Sequence, residues 1–166
     1  MNNKIVVKNT IKPFNKVIKI EGDKSLSIRW ALLASQCVGK STSTNLLKSD
    51  DVLSTINCLK KLGVKISFSR NKCEITGLGI NGFKYKKNTT LNAGNSGTLA
   101  RLILGLLVHS KKKIKIVGDK SLSKRDFLRV TQPLEKFGAK FKTKSGKLPI
   151  IIEGVKNSKP INYNEK

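Results

Sequence analysis

Apolar positions along the chain alternate in short runs, then switch to helical spacing, and the switch recurs. Two strand-like runs, Lys4–Lys8 and Lys16–Ile20, flank Pro13. Leu26, Trp30, Leu33 and Cys37 then recur at helical spacing, predicting a helix over Ser25–Val38 with these residues on its apolar face and Gly39 as its stop. Ser41–Leu46 reads as a strand. Ser49 ahead of Asp50-Asp51 opens a second helix that runs to Leu62 and stops at Gly63. Val64–Ser69 and Cys73–Thr76 read as strands around a turn at 70–72. The order then repeats: strand Thr89–Ala93, turn Gly94–Thr98, helix Leu99–His109, strand Lys113–Val117, helix Ser123–Phe137 ended by Gly138, and strands Lys140–Thr143 and Pro149–Glu153.

Two internal repeats overlay this pattern. Leu59–Ile66 aligns with Leu134–Phe141, 75 residues on, which gives a βαβαββ unit of about that period. Separately, Gly22-Asp23-Lys24-Ser25-Leu26-Ser27-Ile28-Arg29 returns as Gly118-Asp119-Lys120-Ser121-Leu122-Ser123-Lys124-Arg125, seven of eight positions identical at an offset of 96. The offsets differ, so the octapeptide is not simply inherited from the unit repeat. Chance or a shared demand for anion binding would produce it, and the second is the expectation here.

The chemistry legible in these segments is anion binding. A strand-to-helix turn exposes unpaired N–H groups at the positive end of a helix dipole. Lys24 lies in such a turn and Arg29 follows Ser25 by one helical turn, with Ser25 or Ser27 as candidate cap. Gly94-Asn95-Ser96-Gly97-Thr98 is a second turn, where glycines admit close backbone approach, with Arg101 one turn further. Arg125 closes the second octapeptide and suits bidentate carboxylate binding. Plainer readings exist for each motif singly: a capped helix with two solvated cations at Lys24 and Arg29, a strand-to-helix turn needing positive φ at Gly94–Thr98, and a solvated face at Arg125. Trp30 reads as a core residue, His109 as a dipole partner at a helix C-terminus, and Asp50 and Asp51 as first-turn acids. With one histidine and no CxxC pair, no metal or cofactor site is legible, and Cys37, Cys58 and Cys73 read as small core residues.

Taken together, Gly22–Arg29, Asn45–Val52, Asn95–Arg101 and Gly118–Arg125 resemble the 5-enolpyruvylshikimate-3-phosphate synthase family (3-phosphoshikimate 1-carboxyvinyltransferases) in order and spacing. The resemblance implies an α/β (α+β) fold of repeated βαβαββ units, the enolpyruvate transferase-like fold. Here it would be an incomplete lobe: residues 1–21 as a hairpin of a second lobe, and residues 22–166 as two of the first lobe's three units. It implies transfer of the enolpyruvyl group of phosphoenolpyruvate to the 5-hydroxyl of shikimate 3-phosphate, in chorismate and aromatic amino-acid biosynthesis. It assigns Lys24 to both substrates, Ser25 and Arg29 to shikimate 3-phosphate, and Asn95, Gly97 and Arg125 to phosphoenolpyruvate, with Lys24 and Arg125 catalytic. No cofactor and no metal are implied, and the complete enzyme is expected to be a monomer. Glu21 and Asp126 stand where the family often has prolines, and Trp30 where a small residue is common. The chain is also far shorter than the family enzyme, so an inactive fragment is expected.

Bulk composition changes this picture little. Of 166 residues, 34 are Lys or Arg against 10 acids, a net charge of +24. That charge raises nucleic acid as a partner. However, 29 of the 34 are lysines spread along the chain, and aromatic residues are 5%, too few for base-stacking platforms, so no nucleic-acid role is expected. The longest apolar stretch, around Leu102–Val108, is too short to span a bilayer, and no secretory leader is legible, so no membrane association and a cytoplasmic location are expected. Two alternatives remain: a relative of UDP-N-acetylglucosamine enolpyruvyl transferase, and a basic nucleic-acid-binding module. The first would carry Lys-Asn in place of Lys24-Ser25 and a cysteine near 118–125, neither of which is present.

Overall fold

The computed structural model describes residues 5–6, 8–10 and 12–164. Its elements run in the order α1 (Lys24–Gln36), β1 (Val38–Thr44), α2 (Asp50–Lys61), β2 (Lys65–Ser69), β3 (Lys72–Leu78), β4 (Thr89–Asn92), α3 (Gly97–Leu106), β5 (Ile114–Val117), a 3-10 turn (Leu122–Lys124), α4 (Leu128–Lys136), β6 (Lys140–Lys144) and β7 (Lys147–Glu153). The strands form two sheets, ordered β1-β3-β2 and β4-β5-β7-β6. In the second sheet β4 and β5 run parallel with α3 as the crossover, while β5–β7 and β6–β7 are antiparallel. The first sheet repeats the antiparallel part, β1 with β3 and β3 with β2, but has no counterpart of β4 among the described residues. The outer edge of β1 is therefore open among them.

Helices α1, α2 and α3 pack on one another, α1 against β3 and α2 against both β2 and β4. One apolar cluster joins the two halves, with Ile28, Ile56, Ile75, Leu99, Ile114 and Ile150 at its centre. Side-chain bonds reinforce the seam: the Cys58 thiol donates to Asn92 O (3.3 Å) and Lys61 Nζ to Thr90 O (3.1 Å). Burial pushes the Cys58 thiol up to about 11, against smaller lowering effects of Lys61 and the Asn92 contact. Cys73 is also buried, but Cys37 is exposed, contrary to its reading as a core residue.

Four other expectations are corrected. The buried face of α1 is Ile28, Ala31, Leu32 and Ser35, whereas Leu26 and Leu33 are exposed and Trp30 only packs against the core's margin. The helix is apolar on two faces, and the packing partners, not the periodicity, select one. Gly39 lies inside β1 rather than at a helix end, since α1 stops at Gln36. The helix expected over Ser123–Phe137 is broken. Arg125 is extended, Phe127 turns inward to full burial with its N–H on Gly146 O (2.9 Å), and the Asp126 carboxylate then accepts from Leu128 N (2.7 Å) as α4 starts. Burial of one phenylalanine, worth roughly 1.5–3 kcal/mol, outweighs the few helical bonds lost.

The fourth correction is at the start. The Lys4–Lys8 run lies partly outside the described residues, and its described members form no strand. Lys16–Ile20 forms no strand either, and Val17, Ile18 and Ile20 are exposed. A strand needs a neighbouring strand to take its N–H and C=O groups, and none pairs with this segment among the described residues; Ile20 O instead accepts from Asn45 Nδ2 (3.3 Å). His109 lies past the end of α3 and ties down the chain beyond β7, with its ring nitrogens 3.0 Å from Val155 O and 3.1 Å from Ser158 Oγ.

Candidate functional site

The entry to α1 and three strand-to-helix connections, at 45–49, 93–96 and 118–127, converge at the end of the molecule where α1 and α3 begin. The octapeptide at α1 is shaped by Asp23, whose carboxylate accepts from Leu26 N (2.7 Å) and caps the helix. The expected serine cap is therefore replaced by aspartate. Ser27 instead donates to Asp23 O (2.6 Å) and accepts from Leu47 N (3.1 Å), which ties the 45–49 loop to α1. That loop leads into α2, so Asp51 in its first turn meets Lys24 Nζ at 3.2 Å. The second octapeptide repeats the cap, Asp119 accepting from Leu122 N (2.7 Å). Asp119 N also donates to Gly94 O (2.8 Å), which clamps this turn to the one that opens α3.

Through that clamp the Arg125 guanidinium reaches Asn95 Oδ1 (3.0 Å). Arg101, one turn into α3, donates to Gly97 O and to Asp126 O, each at 3.3 Å, and lies 5.0 Å above the centre of the Phe127 ring. The buried Phe127 thus supports Arg101 from below by a cation–π contact. Ser96 caps α3, its hydroxyl accepting from Leu99 N (3.3 Å).

The result is a cavity of about 450 Å³ lined by Lys24, Asp51, Asn95, Gly97, Thr98, Arg101 and Arg125. Three cations face one carboxylate, and the first turn of α3 adds its dipole, so the cavity favours an anion. Lys24 is half-exposed, and its pair with Asp51 contributes at most about 1 kcal/mol. An incoming anion would displace Asp51 at little cost. Gly97 sets the clearance: a Cβ there would stand 2.8 Å from Arg101 Nη1 and 2.9 Å from Arg125 Nη1. Both are ends of flexible side chains, so a methyl group would move the guanidinium groups rather than unfold the protein.

Of the sequence candidates, Lys24, Asn95, Gly97 and Arg125 share this cavity. Ser25 and Arg29 do not line it; Ser25 is half-buried and Arg29 exposed. Thr98 and Arg101, which belong to the second anion-binding motif but had no substrate assigned, join it, as does Asp51, which was read only as a first-turn acid. Arg101 had a signal in its position one turn after Gly97. Asp51 had none that separated it from an ordinary first-turn acid.

Comparison with known proteins identifies the family and the fold. Residues 8–166 match the family model for EPSP synthase (3-phosphoshikimate 1-carboxyvinyltransferase). Over 160 residues the chain is 41% identical to the 3-phosphoshikimate 1-carboxyvinyltransferase of Ruthia magnifica subsp. Calyptogena magnifica, covering 95% of this chain and 37% of that protein. It is 43% identical over 157 residues to the same enzyme of Vesicomyosocius okutanii subsp. Calyptogena okutanii, covering 93% and 36%. The fold matches a solved EPSP synthase from Acinetobacter baumannii with a TM-score of 0.82 and 34% identity, over 88% of this chain and 33% of that one. The chain belongs to the EPSP synthase family and spans a little over a third of the length of these curated relatives.

Proposed function

We propose that this chain supplies part of the active site of an enzyme that transfers the enolpyruvyl group of phosphoenolpyruvate to the 5-hydroxyl of shikimate 3-phosphate. The observation that carries the reading is the cavity that gathers Lys24, Asn95, Gly97 and Arg125 from three separate stretches of chain. In that reaction the 5-hydroxyl oxygen loses its proton and bonds to C2 of phosphoenolpyruvate while C3 takes up a proton; C3 then gives up a proton as the C2–O bond to phosphate breaks, which restores the double bond and releases inorganic phosphate. Both reactants are anions, so cations held in advance offset their repulsion and stabilise charge that builds on the leaving phosphate.

In this reading Arg125, steadied by Asn95, holds the phosphoenolpyruvate carboxylate, and Gly97 keeps clear the space in which it lies. Lys24 leaves Asp51 to lie between the two substrates. Ser25 and Arg29, outside this cavity, take the shikimate 3-phosphate side. Residues 22–166 are two of three βαβαββ units of one lobe, and residues 1–21 belong to a second lobe. The complete enzyme works as a cytoplasmic monomer, and no helix among the described residues is long and apolar enough to cross a membrane.

The test is to exchange this chain for the matching third of the Acinetobacter baumannii enzyme and track phosphate release. Transfer activity that falls at least tenfold, about 1.4 kcal/mol, on Gly97→Leu supports the reading. A folded chimera that binds both substrates yet transfers nothing would overturn it.

A further inference from the structure

A second cavity, of about 300 Å³, lies around the other end of α3. It is enclosed by the 81–85 segment that joins the two sheets, by Leu106 and Leu107, and by residues 109–112. Since α3 has 10 residues, its two ends stand roughly 15 Å apart. Nothing in the proposed transfer reaction uses this end.

The lining combines two kinds of surface. Phe83, Tyr85, Leu106 and Leu107 form an apolar floor and wall. Lys84, Lys111 and Lys112 stand around it, and no acidic residue among the described residues lines it. A simpler reading would be that the lysines cap the carbonyl end of α3. Three carbonyls there are taken otherwise: Gly105 O accepts from Val108 N (3.4 Å), Leu107 O from Ser110 N (2.8 Å) and Val108 O from Val155 N (2.7 Å). Lys112 Nζ donates to Tyr85 O (3.4 Å), and neither Lys84 nor Lys111 has an acidic partner among the described residues. The cationic groups are thus not consumed by the fold.

Two polar groups also have unused capacity. The Ser110 hydroxyl, on a residue that lines the cavity, is buried and has no hydrogen-bond partner among the described residues. The Tyr85 hydroxyl accepts from Lys112 N (3.4 Å), so its own proton remains available to donate. A floor of aromatic and aliphatic carbon, a cationic rim and a tyrosine hydroxyl are recognised parts of a small-molecule site, and the volume is at the small end of that class.

We propose that this cavity binds a small molecule consisting of one planar apolar ring bearing a carboxylate or phosphate. The ring lies between Phe83 and Leu106, and the acid is directed to Lys84 and Lys111. Because α3 runs from this cavity to Gly97, occupancy here bears on the helix that frames the first site.

The experiment is a titration of the ¹⁵N-labelled chain with benzoate, phenyl phosphate, benzyl alcohol and inorganic phosphate, read by amide shifts. Saturable shifts confined to residues 81–85 and 106–112 are expected for benzoate or phenyl phosphate, whichever acid fits. Benzyl alcohol and inorganic phosphate should each bind there at least tenfold more weakly. The exposed pair Lys84→Glu and Lys111→Glu should weaken the acids at least tenfold without disturbing the fold. Equal binding of benzyl alcohol would reduce the cavity to a greasy hollow. Equal binding of inorganic phosphate, or shifts spread over all lysine-bearing faces, would reduce it to the protein's general charge. Any of these overturns the proposal, and none depends on whether the chain takes part in enolpyruvyl transfer.

Discussion

The two octapeptides share seven of eight residues and an identical cap, yet they build different things. After Asp23 the chain continues into a 13-residue α-helix, whereas after Asp119 it makes a three-residue 3-10 turn and stops. Leu26 is 66% exposed, while its counterpart Leu122 is fully buried. The copies also contribute different positions to the first cavity: Lys24 but not Lys120, and Arg125 but not Arg29. Local sequence settles the turn, because an aspartate three residues before a free N–H caps it in either context. Distant residues settle the path of the chain beyond that turn. Ile28 finds the core in the first copy, whereas Phe127 and the Gly94 clamp pull the second copy off the helical path.

The largest expected effect tests the leucines. Leu122→Ala should cost roughly 2–5 kcal/mol, whereas Leu26→Ala should stay within about 0.5 kcal/mol, both read from urea unfolding midpoints. Equal costs would mean the two copies are packed alike. Next come the cations. In the chimera, Lys24→Ala and Arg125→Ala should each lower kcat/KM at least tenfold, about 1.4 kcal/mol or more, while Lys120→Ala leaves it nearly unchanged. If Lys120→Ala were as damaging as Lys24→Ala, the octapeptides would share a role that the cavity does not suggest. The smallest effect tests what the copies have in common. Asp23→Ala and Asp119→Ala should each cost about 1 kcal/mol by thermal or urea unfolding, with Asn largely restoring stability because its oxygen still accepts. Restoration by Asn at one site only would show that charge, not capping, matters at the other.

Much of the fold was legible because unit periodicity is a property of every turn of chain. The strand and helix order from Ser41 to Thr98 matches the hydrophobic pattern closely, and Gly63 and Gly138 take the positive φ that ends a helix. The errors arise where tertiary partners choose. α1 offers two apolar faces, and only packing against α2 and β3 shows that Ile28, Ala31 and Leu32 are the inner set. The break before α4 depends on a pocket for Phe127 that no local rule encodes. In the first cavity the glycine and the cations stood out, since anion binding has a short list of suitable residues. Asp51 did not, because its contact with Lys24 bridges two helices that β1 separates along the chain, and depends on the β1–α2 loop that the Ser27 hydroxyl holds.

The open side of β1 has a consequence of a different kind. β4 covers β5 in the second sheet, but in the first, among the described residues, alternate residues from Val38 to Thr44 present unpaired backbone donors and acceptors on the side away from β3. Such an edge is an unfinished polymer end, ready to accept whatever extended segment arrives. Lys40 is the one charged residue along it to discourage a newcomer. A parallel strand would finish the sheet as β4 finishes its neighbour, whereas an antiparallel β1 from another molecule would run one sheet through two proteins. At high concentration this edge would work against the +24 charge that keeps the molecules apart.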